Sequence, residues 1–255
     1  KNYHPFLEEL KKKVDNPKFI ISKSIKDTDS FIQNNFRTTS VFVAVGGDGT
    51  ISTVAKHLIH TDKTLAIFPA GSGNGFSNET HFQKDLDDLL IKITDKKTRQ
   101  IDTFTVNDLL SINVSGAGFD GRIARDFEKT SRGFANYIKV SIKTFFNNRP
   151  VEMKFHDEQY REHNGRYLML NIANTRQFGN NAYIAPQASK SDGLVDLVLV
   201  KKFPLAYSPL FAYRMFTKQL RDDEYLTYIP ASEIRFSVNT TTWHLDGEYT
   251  KIESP

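Results

Sequence analysis

Gly46, Gly47, Asp48, Gly49 and Thr50 follow the apolar run 41–45 and precede a stretch of helical apolar spacing, 51–59. A strand that passes through glycines into a helix is how α/β proteins commonly hold a phosphate. Glycines at 46, 47 and 49 keep Cβ atoms away from an approaching oxyanion. They also permit φ > 0 geometries in which successive N–H groups converge. A helix starting near Thr50 adds unpaired N–H groups and the positive end of its dipole. Asp48 is the odd residue in this setting. A carboxylate beside a phosphate repels it unless Mg2+ or an Mg2+-held water lies between them. Taken alone, the segment also reads as a tight turn with a solvated Asp.

Four other segments carry candidate chemistry. Residues 69–76, Pro-Ala-Gly-Ser-Gly-Asn-Gly-Phe, form a second glycine loop after an apolar run. Gly71 allows close backbone approach, while Ser72 and Asn74 offer a hydroxyl and an amide for phosphate or ribose. Residues 113–120 run as a strand into small residues and end at Asp120. The turn 188–194 contains Asp192, and an Asp with two carbonyls in a tight turn suits a hard cation. At 245–248, Asp246 and Glu248 flank a glycine, and an Asp beside a reacting hydroxyl can take its proton. Each has a plainer reading: a structural turn, a bulge, an Asp-driven turn, a hairpin. The stretch 133–147, with Lys139 and Lys143 among aromatics, fits either a membrane-touching amphipathic helix or one packed on its own protein. The seven histidines show no metal-binding spacing.

The elements that would position these residues fall into two blocks. Over residues 1–103 helical and strand patterns alternate: a helix with Phe6, Leu7, Leu10 and Val14 on one face, a strand at 19–21, a helix with Phe31, Ile32 and Phe36, then strands at 41–45 and 65–68 with helices after each. Such alternation predicts an α/β domain with a parallel sheet, its ligands at the carboxyl ends of the strands, where both glycine loops fall. From 104 to 255 short strands separated by polar turns predict an antiparallel β-rich domain: 110–114, 151–155, 167–173, 194–200, 233–238 and 242–245. Two helices, 133–147 and 204–220, interrupt it.

Composition narrows the class. The 255 residues are 39% hydrophobic and 12% aromatic, with a formal charge of +4. That mild excess of base gives no reason to expect nucleic acid as a partner, and it is compatible with an anionic membrane surface. The absence of cysteine excludes disulfides, thiolate zinc sites and a cysteine nucleophile, and fits a reducing, cytoplasmic compartment. No run of 18 apolar residues predicts a transmembrane helix, and no secretory signal stands at the N-terminus.

In order, Gly-Gly-Asp-Gly-Thr (46–50), Pro-x-Gly-Ser-x-Asn (69–74), Asn-x-x-Gly-x-Gly-Phe-Asp (113–120), Ile-Ala-Pro-x-Ala (184–188), Ser-Asp-Gly-Leu-Val-Asp (191–196) and Asp-Gly-Glu (246–248) resemble the diacylglycerol kinase–like lipid kinases, which include sphingosine and ceramide kinases. The resemblance runs through nearly the whole chain. It implies an α/β nucleotide-binding domain and a β-rich lipid-binding domain whose last segment returns to the cleft between them, ATP and Mg2+ as cofactors, and phosphoryl transfer to a diacylglycerol-like or sphingoid-like hydroxyl. By position, Gly46, Gly47, Gly49 and Thr50 would hold the ATP phosphates, with Ser72, Gly71, Asn74 and Ser24 near the nucleotide. Asp48 would join the Mg2+–water network. Asp246 would be the general base, supported by Glu248. Asp120 would belong to the acidic, metal-linked network. Asp192 with the carbonyls of Ser189 and Leu194 would match a structural Mg2+ site. The protein would visit the membrane from solution, and a homodimer is compatible with the reading. Relatives usually open with a strand and an Asn-Pro-x-x-Gly loop, whereas this sequence starts in what resembles the following helix. The Pro-Ala-Gly-Ser-Gly-Asn form is closer to sphingosine and ceramide kinases. A NAD kinase and a non-catalytic nucleotide- or lipid-binding relative are the alternative functions.

Overall fold

A computed structural model describes residues 3–127, 144 and 149–253. The chain divides into two compact units, Lys1–Arg99 and Gln100–Pro255. The helix expected over 133–147 lies outside the described residues, apart from Thr144.

In the first unit, β1 (Val41–Gly46) and β2 (Thr64–Pro69) pair in parallel, with Val45 opposite Phe68. Between them runs α3 (Asp48–Ala55), which buries Ile51 and Val54. Helix α1 (His4–Lys13) lends Phe6 and Leu10 to a cluster with Phe68, Leu86 and Leu89. Leu86 and Leu89 come from α5 (Leu86–Thr94), whose start is capped by Asp85 accepting from the N–H groups of Asp87 and Asp88. The α5 helix begins four residues later than the apolar spacing at Phe82 predicts, because that cap fixes its first turn. Helix α2 (Ile25–Asn35) opens on Ser24 and buries Ile32. The strand expected at 19–21 does not form. Phe19, Ile20 and Ile21 stay 40–43% exposed, and no described strand supplies the ladder that an extended segment needs.

The second unit is built on a six-stranded antiparallel sheet of order β10-β9-β8-β5-β12-β13. Its strands are β5 (Val114–Gly118), β8 (Met169–Ala173), β9 (Val195–Val200), β10 (Leu226–Ala231), β12 (Thr242–Leu245) and β13 (Glu248–Lys251). A three-stranded sheet of β6 (Val151–Phe155), β7 (Gly165–Tyr167) and β11 (Phe236–Val238) packs on one face, where Met153 and Tyr167 meet Leu170, Leu197, Leu199 and Trp243. The other face buries Val114, Met169, Val198 and Val200 beneath Ile184, Phe203 and Phe211, the last from the Ser208–Phe216 helix. Strand β9 is covered on both faces, so its sequence reads as a continuous apolar run rather than an alternation.

Several expected strands are cut. The run 110–114 is interrupted between β4 (Leu109–Ser111) and β5, and 167–173 between β7 and β8. A short strand β3 (Phe104–Val106), α6 (Phe119–Phe127), β10 and β13 have no counterpart among the expected elements. Pro204–Leu220 resolves into a 3-10 turn, Leu205–Tyr207, and the shorter helix.

Leu199 is fully buried between the two sheets, so Leu199→Ala should lower the stability of the second unit by about 2–5 kcal/mol. Trp243, the single tryptophan and itself buried in this core, gives a fluorescence signal for it. The expected result is a lower urea midpoint by that signal, and an unchanged midpoint would contradict this packing.

Candidate active site

The two glycine loops of the first unit meet backbone to backbone. A Cβ added at Gly71 would fall 2.5 Å from the Gly47 Cα and 2.7 Å from Asn74 Oδ1. At Gly46 it would fall 2.5 Å from Thr50 Oγ1. Close approach therefore demands these glycines, and left-handed backbone does not. Among the described residues the glycines with positive φ are Gly118, Gly179, Gly193 and Gly247, so the expected φ > 0 at 46, 47 and 49 is not found. The left-handed position of the second loop is Asn74, at φ 50°. Its amide folds the loop, with Oδ1 accepting from Gly71 N–H at 2.8 Å and Nδ2 donating to Gly71 O at 3.1 Å. Asn74 is thus committed within the loop, whereas Ser72 is exposed.

Asp48 joins the loops. Its carboxylate accepts from the N–H groups of Gly75 (3.1 Å) and Phe76 (3.0 Å), the first residues of α4 (Gly75–Glu79). A negative charge at a helix start is favourable there, so these two bonds help Asp48 fix the second loop. The site presents the α3 start, the half-exposed Gly47 and Gly49, and the exposed Thr50. Ser24 caps α2 through its Oγ, which accepts from Asp27 N–H at 3.2 Å. The Asp27 carboxylate in turn accepts from the N–H of Lys23, the residue before the cap, at 2.9 Å. The N–H group at Lys23 and the hydrogen bond from Ser24 hold the Asp27 carboxyl below its usual range.

In the second unit, Asp246 and Gly247 form the two-residue turn between β12 and β13, with φ of 51° and 88°. Positive φ at both positions is what a twisted hairpin requires, and Asp-Gly meets it cheaply. Turn residues usually face water, yet Asp246 is 4% exposed. Its Oδ1 accepts from Ser111 Oγ (2.7 Å), Ile112 N–H (3.1 Å) and Asn113 N–H (2.8 Å), and Oδ2 accepts from Ile112 N–H at 3.3 Å. The break between β4 and β5 exists to make these bonds. Ser115 Oγ accepts from Asp246 N–H at 3.2 Å and lies 2.7 Å from Ser111 Oγ. Because the Ser111 proton goes to the carboxylate, Ser115 donates to Ser111.

Asp120, 7% exposed at the start of α6, faces His244 of β12, with Oδ2 3.0 Å from Nε2. The other ring nitrogen, Nδ1, lies 3.3 Å from Gly247 N–H. That amide can only donate, so the neutral ring carries its proton on Nε2 and donates to Asp120. One imidazole thereby links Asp120 to the Asp246–Gly247 turn. Gly116, opposite His244 across the strands, makes the room: a Cβ there would fall 2.4 Å from Asp120 Oδ2 and 2.5 Å from Asn171 Oδ1. Asn171 is fully buried with neither amide atom hydrogen-bonded.

The remaining expected residues lie elsewhere in the second unit. Glu248 opens β13, exposed, with no hydrogen bond to Asp246 among the described residues. Asp192 is exposed in its turn, accepting from Leu194 N–H at 3.1 Å. Ser189 is half-buried nearby, and Asp102 Oδ2 accepts from Gly193 N–H at 2.8 Å. Burial, and then the negative charge of Asp192, push the Asp196 carboxyl up.

Residues 1–106 match the family described as "Diacylglycerol kinase catalytic domain", and residues 113–252 match "YegS C-terminal NAD kinase beta sandwich-like domain". The chain belongs to the diacylglycerol kinase–like lipid kinases. It is 27% identical over 220 residues to the diacylglycerol kinase of Bacillus subtilis (strain 168), covering 84% of this chain and 72% of that protein. A protein named "Probable lipid kinase YegS-like" from Pseudomonas aeruginosa (strain UCBPP-PA14) is 29% identical over 167 residues, 63% of this chain and 54% of its own length. This chain thus spans about half of that relative. A crystal structure of a diacylglycerol kinase from Bacillus anthracis (strain Sterne) superposes with a TM-score of 0.64 at 18% identity, covering 88% of this chain and 75% of that one, and shows the shared fold.

Within this lipid kinase, sequence reasoning missed Ser111, Ser115, His244 and Asn171. A signal was present for the first two. Ser111, Asn113 and Ser115 recur every second residue in an otherwise apolar strand, so they share one face where a buried polar partner must exist. His244 gave no pattern, because its partner Asp120 is brought in from α6, and Asn171 gave none either.

Two outcomes test this geometry. Gly71→Ala forces a Cβ into the Gly47 backbone and should cost about 1–3 kcal/mol in chemical denaturation. His244→Ala leaves Asp120 Oδ2 without its side-chain donor, Gly121 N–H still serving Oδ1, and should lose about 1–3 kcal/mol. His244→Gln, which restores a donor toward Asp120, should recover part of that loss, and equal stability of wild type and His244→Ala would refute the bridging role.

Proposed function

We propose that this lipid kinase transfers the γ-phosphate of ATP to the hydroxyl of a diacylglycerol-like or sphingoid-like lipid. The observation that carries the reading is the buried, pre-positioned Asp246 carboxylate. In this reading the α/β block, residues 1–103, binds nucleotide and residues 104–255 bind lipid. Gly46–Thr50 receive the phosphates through the N–H groups at the α3 start, and the exposed Ser72 hydroxyl completes the nucleotide contacts. Asp48 keeps the two glycine loops in register. Asp246 accepts the proton of the lipid hydroxyl as its oxygen bonds to the γ-phosphorus and the bond to ADP breaks. Asp246 does not have to swing into place, because Ser111, Ile112 and Asn113 already hold it. Asp120 and His244 keep the Asp246–Gly247 turn in its conformation. Glu248, exposed at the turn, contributes negative charge and no direct contact.

Mg2+ supplies charge neutralisation on the phosphates when bound, with Asp48 the nearest carboxylate of the glycine loops. A second cation fits the 189–194 turn on chemical grounds. Asp192 and Asp196 are mutually repulsive there, and the Asp192 carboxylate with the carbonyls of Ser189 and Leu194 would hold a divalent ion that relieves the repulsion. Among the described residues no helix is long and apolar enough to cross a membrane. We read the protein as meeting its lipid at a membrane surface in the cytoplasm.

ADP release with ATP and Mg2+, measured in separate wells with diacylglycerol, sphingosine, ceramide and NAD, tests the activity. Lipid-dependent turnover is expected, and Asp246→Asn should reduce it about 10²–10⁴-fold. Turnover with NAD alone would make the protein a NAD kinase, and nucleotide binding with no turnover would make it non-catalytic. For the turn, Asp196 is raised in the folded state, so the stability it withholds grows as pH rises through that raised value. Mg2+ held by the folded turn through Asp192 should raise the melting temperature at pH 7 in wild type and not in Asp192→Asn. The same rise in both would remove this site.

A further inference from the structure

The second unit holds a cleft of about 420 Å³ that none of the residues discussed above lines. Its walls carry three arginines: Arg122 from α6, Arg149 just before β6, and Arg166 from β7. Asn239 and Thr240, between β11 and β12, complete the polar lining. Three guanidinium groups around one cleft repel one another. Burial, then the charges of Arg125 and Arg149, make the Arg122 guanidinium less basic than usual, and Asp126 opposes them.

Among the described residues the nearest carboxylates each face another cation. Asp126 accepts from Arg125 Nε at 3.1 Å, and Glu152, across the strands from Arg166, lies 3.8 Å from Lys154. Among the described residues none of the three cleft arginines makes an ion pair. The other lining groups point to the same deficit. Asn239 Oδ1 already accepts from Glu152 N–H at 2.8 Å, and Thr240 Oγ1 accepts from Thr242 N–H at 3.2 Å. With one lone pair of each already engaged, these two side chains still offer donors, the Asn239 NH₂ and the Thr240 O–H. Among the described residues the cleft therefore combines three cationic forks and two neutral side chains with no acid in its lining.

We propose that this cleft binds a phosphate group, as a phosphate mono- or diester. Guanidinium forks match phosphate oxygens in pairs and bind them more strongly than neutral donors do. Its volume exceeds what an inorganic ion needs and has room for the glycerol-sized group attached to an ester. The inference is independent of the phosphoryl-transfer reading, since no residue assigned to that chemistry lines the cleft.

Titration of the full chain with glycerol phosphate, followed by amide and arginine Nε resonances, tests the proposal. Saturable shifts are expected at Arg149, Arg166, Asn239 and Thr240. Arg149→Gln with Arg166→Gln should weaken them at least tenfold, and Lys202→Gln, an exposed control in the same unit, should leave them unchanged. Both arginines are exposed, so an unaltered melting temperature is expected and separates lost binding from lost folding. Shifts confined to Gly46–Thr50, or equal affinity in the double variant, would overturn the proposal. Sedimentation with phosphatidylglycerol/phosphatidylcholine vesicles, against phosphatidylcholine alone, then assigns the source. Arginine-dependent retention on the anionic vesicles makes the group a lipid headgroup. Saturable shifts without such retention make it a soluble phosphate ester.

Discussion

A carboxylate that is out of water must be given hydrogen-bond donors, and in the second unit much of the local architecture follows from supplying them to Asp246. The cost of burying a charge is several kcal/mol unless it is compensated. Here the donors are two backbone amides and a serine hydroxyl. To aim Ile112 and Asn113 N–H at one oxygen, the strand that carries them has to break, which separates β4 from β5. The turn that carries Asp246 has to be the tight, left-handed Asp-Gly form. Ser115 and His244 then satisfy the turn's own N–H groups at Asp246 and Gly247. The result is a carboxylate held in one position, the pre-organisation on which the proposed proton transfer would draw.

The first unit solves a related problem with backbone alone. Two loops that follow parallel strands are pressed together at Gly47 and Gly71, closer than any side chain permits. Asp48 then ties one loop to the other by capping α4. This gives the acid in the glycine turn a structural task of its own. The helix start at Gly75 and Phe76 favours a negative charge at that point.

The family assignment and the geometry bear on different questions. Belonging to the diacylglycerol kinase–like lipid kinases sets the class of chemistry. The geometry shows which side chains are committed to holding the fold and which are not. Asn74 and Ser24 fall in the first group, since both are consumed by local caps and turns. Ser72, Thr50 and the arginine cleft fall in the second.

Local patterns were legible because they depend on near neighbours. The parallel pair 41–46 and 64–69, the glycine loops, the Asp-Gly turn and most of the β-rich half could be read from apolar periodicity and turn residues, and the order of motifs pointed to the family. The strand at 19–21 misled because apolar, β-branched residues describe a preference, while a strand also needs a partner along its edge. What only the tertiary structure decided is which polar groups face one another. Asp120 and His244 are 124 residues apart, and Asp246 is 133 residues from Asn113. Their pairing is set by the order in which strands enter the sheet, with β12 inserted beside β5. No periodicity within either segment encodes that order, because it arises from burying both faces of one sheet at once.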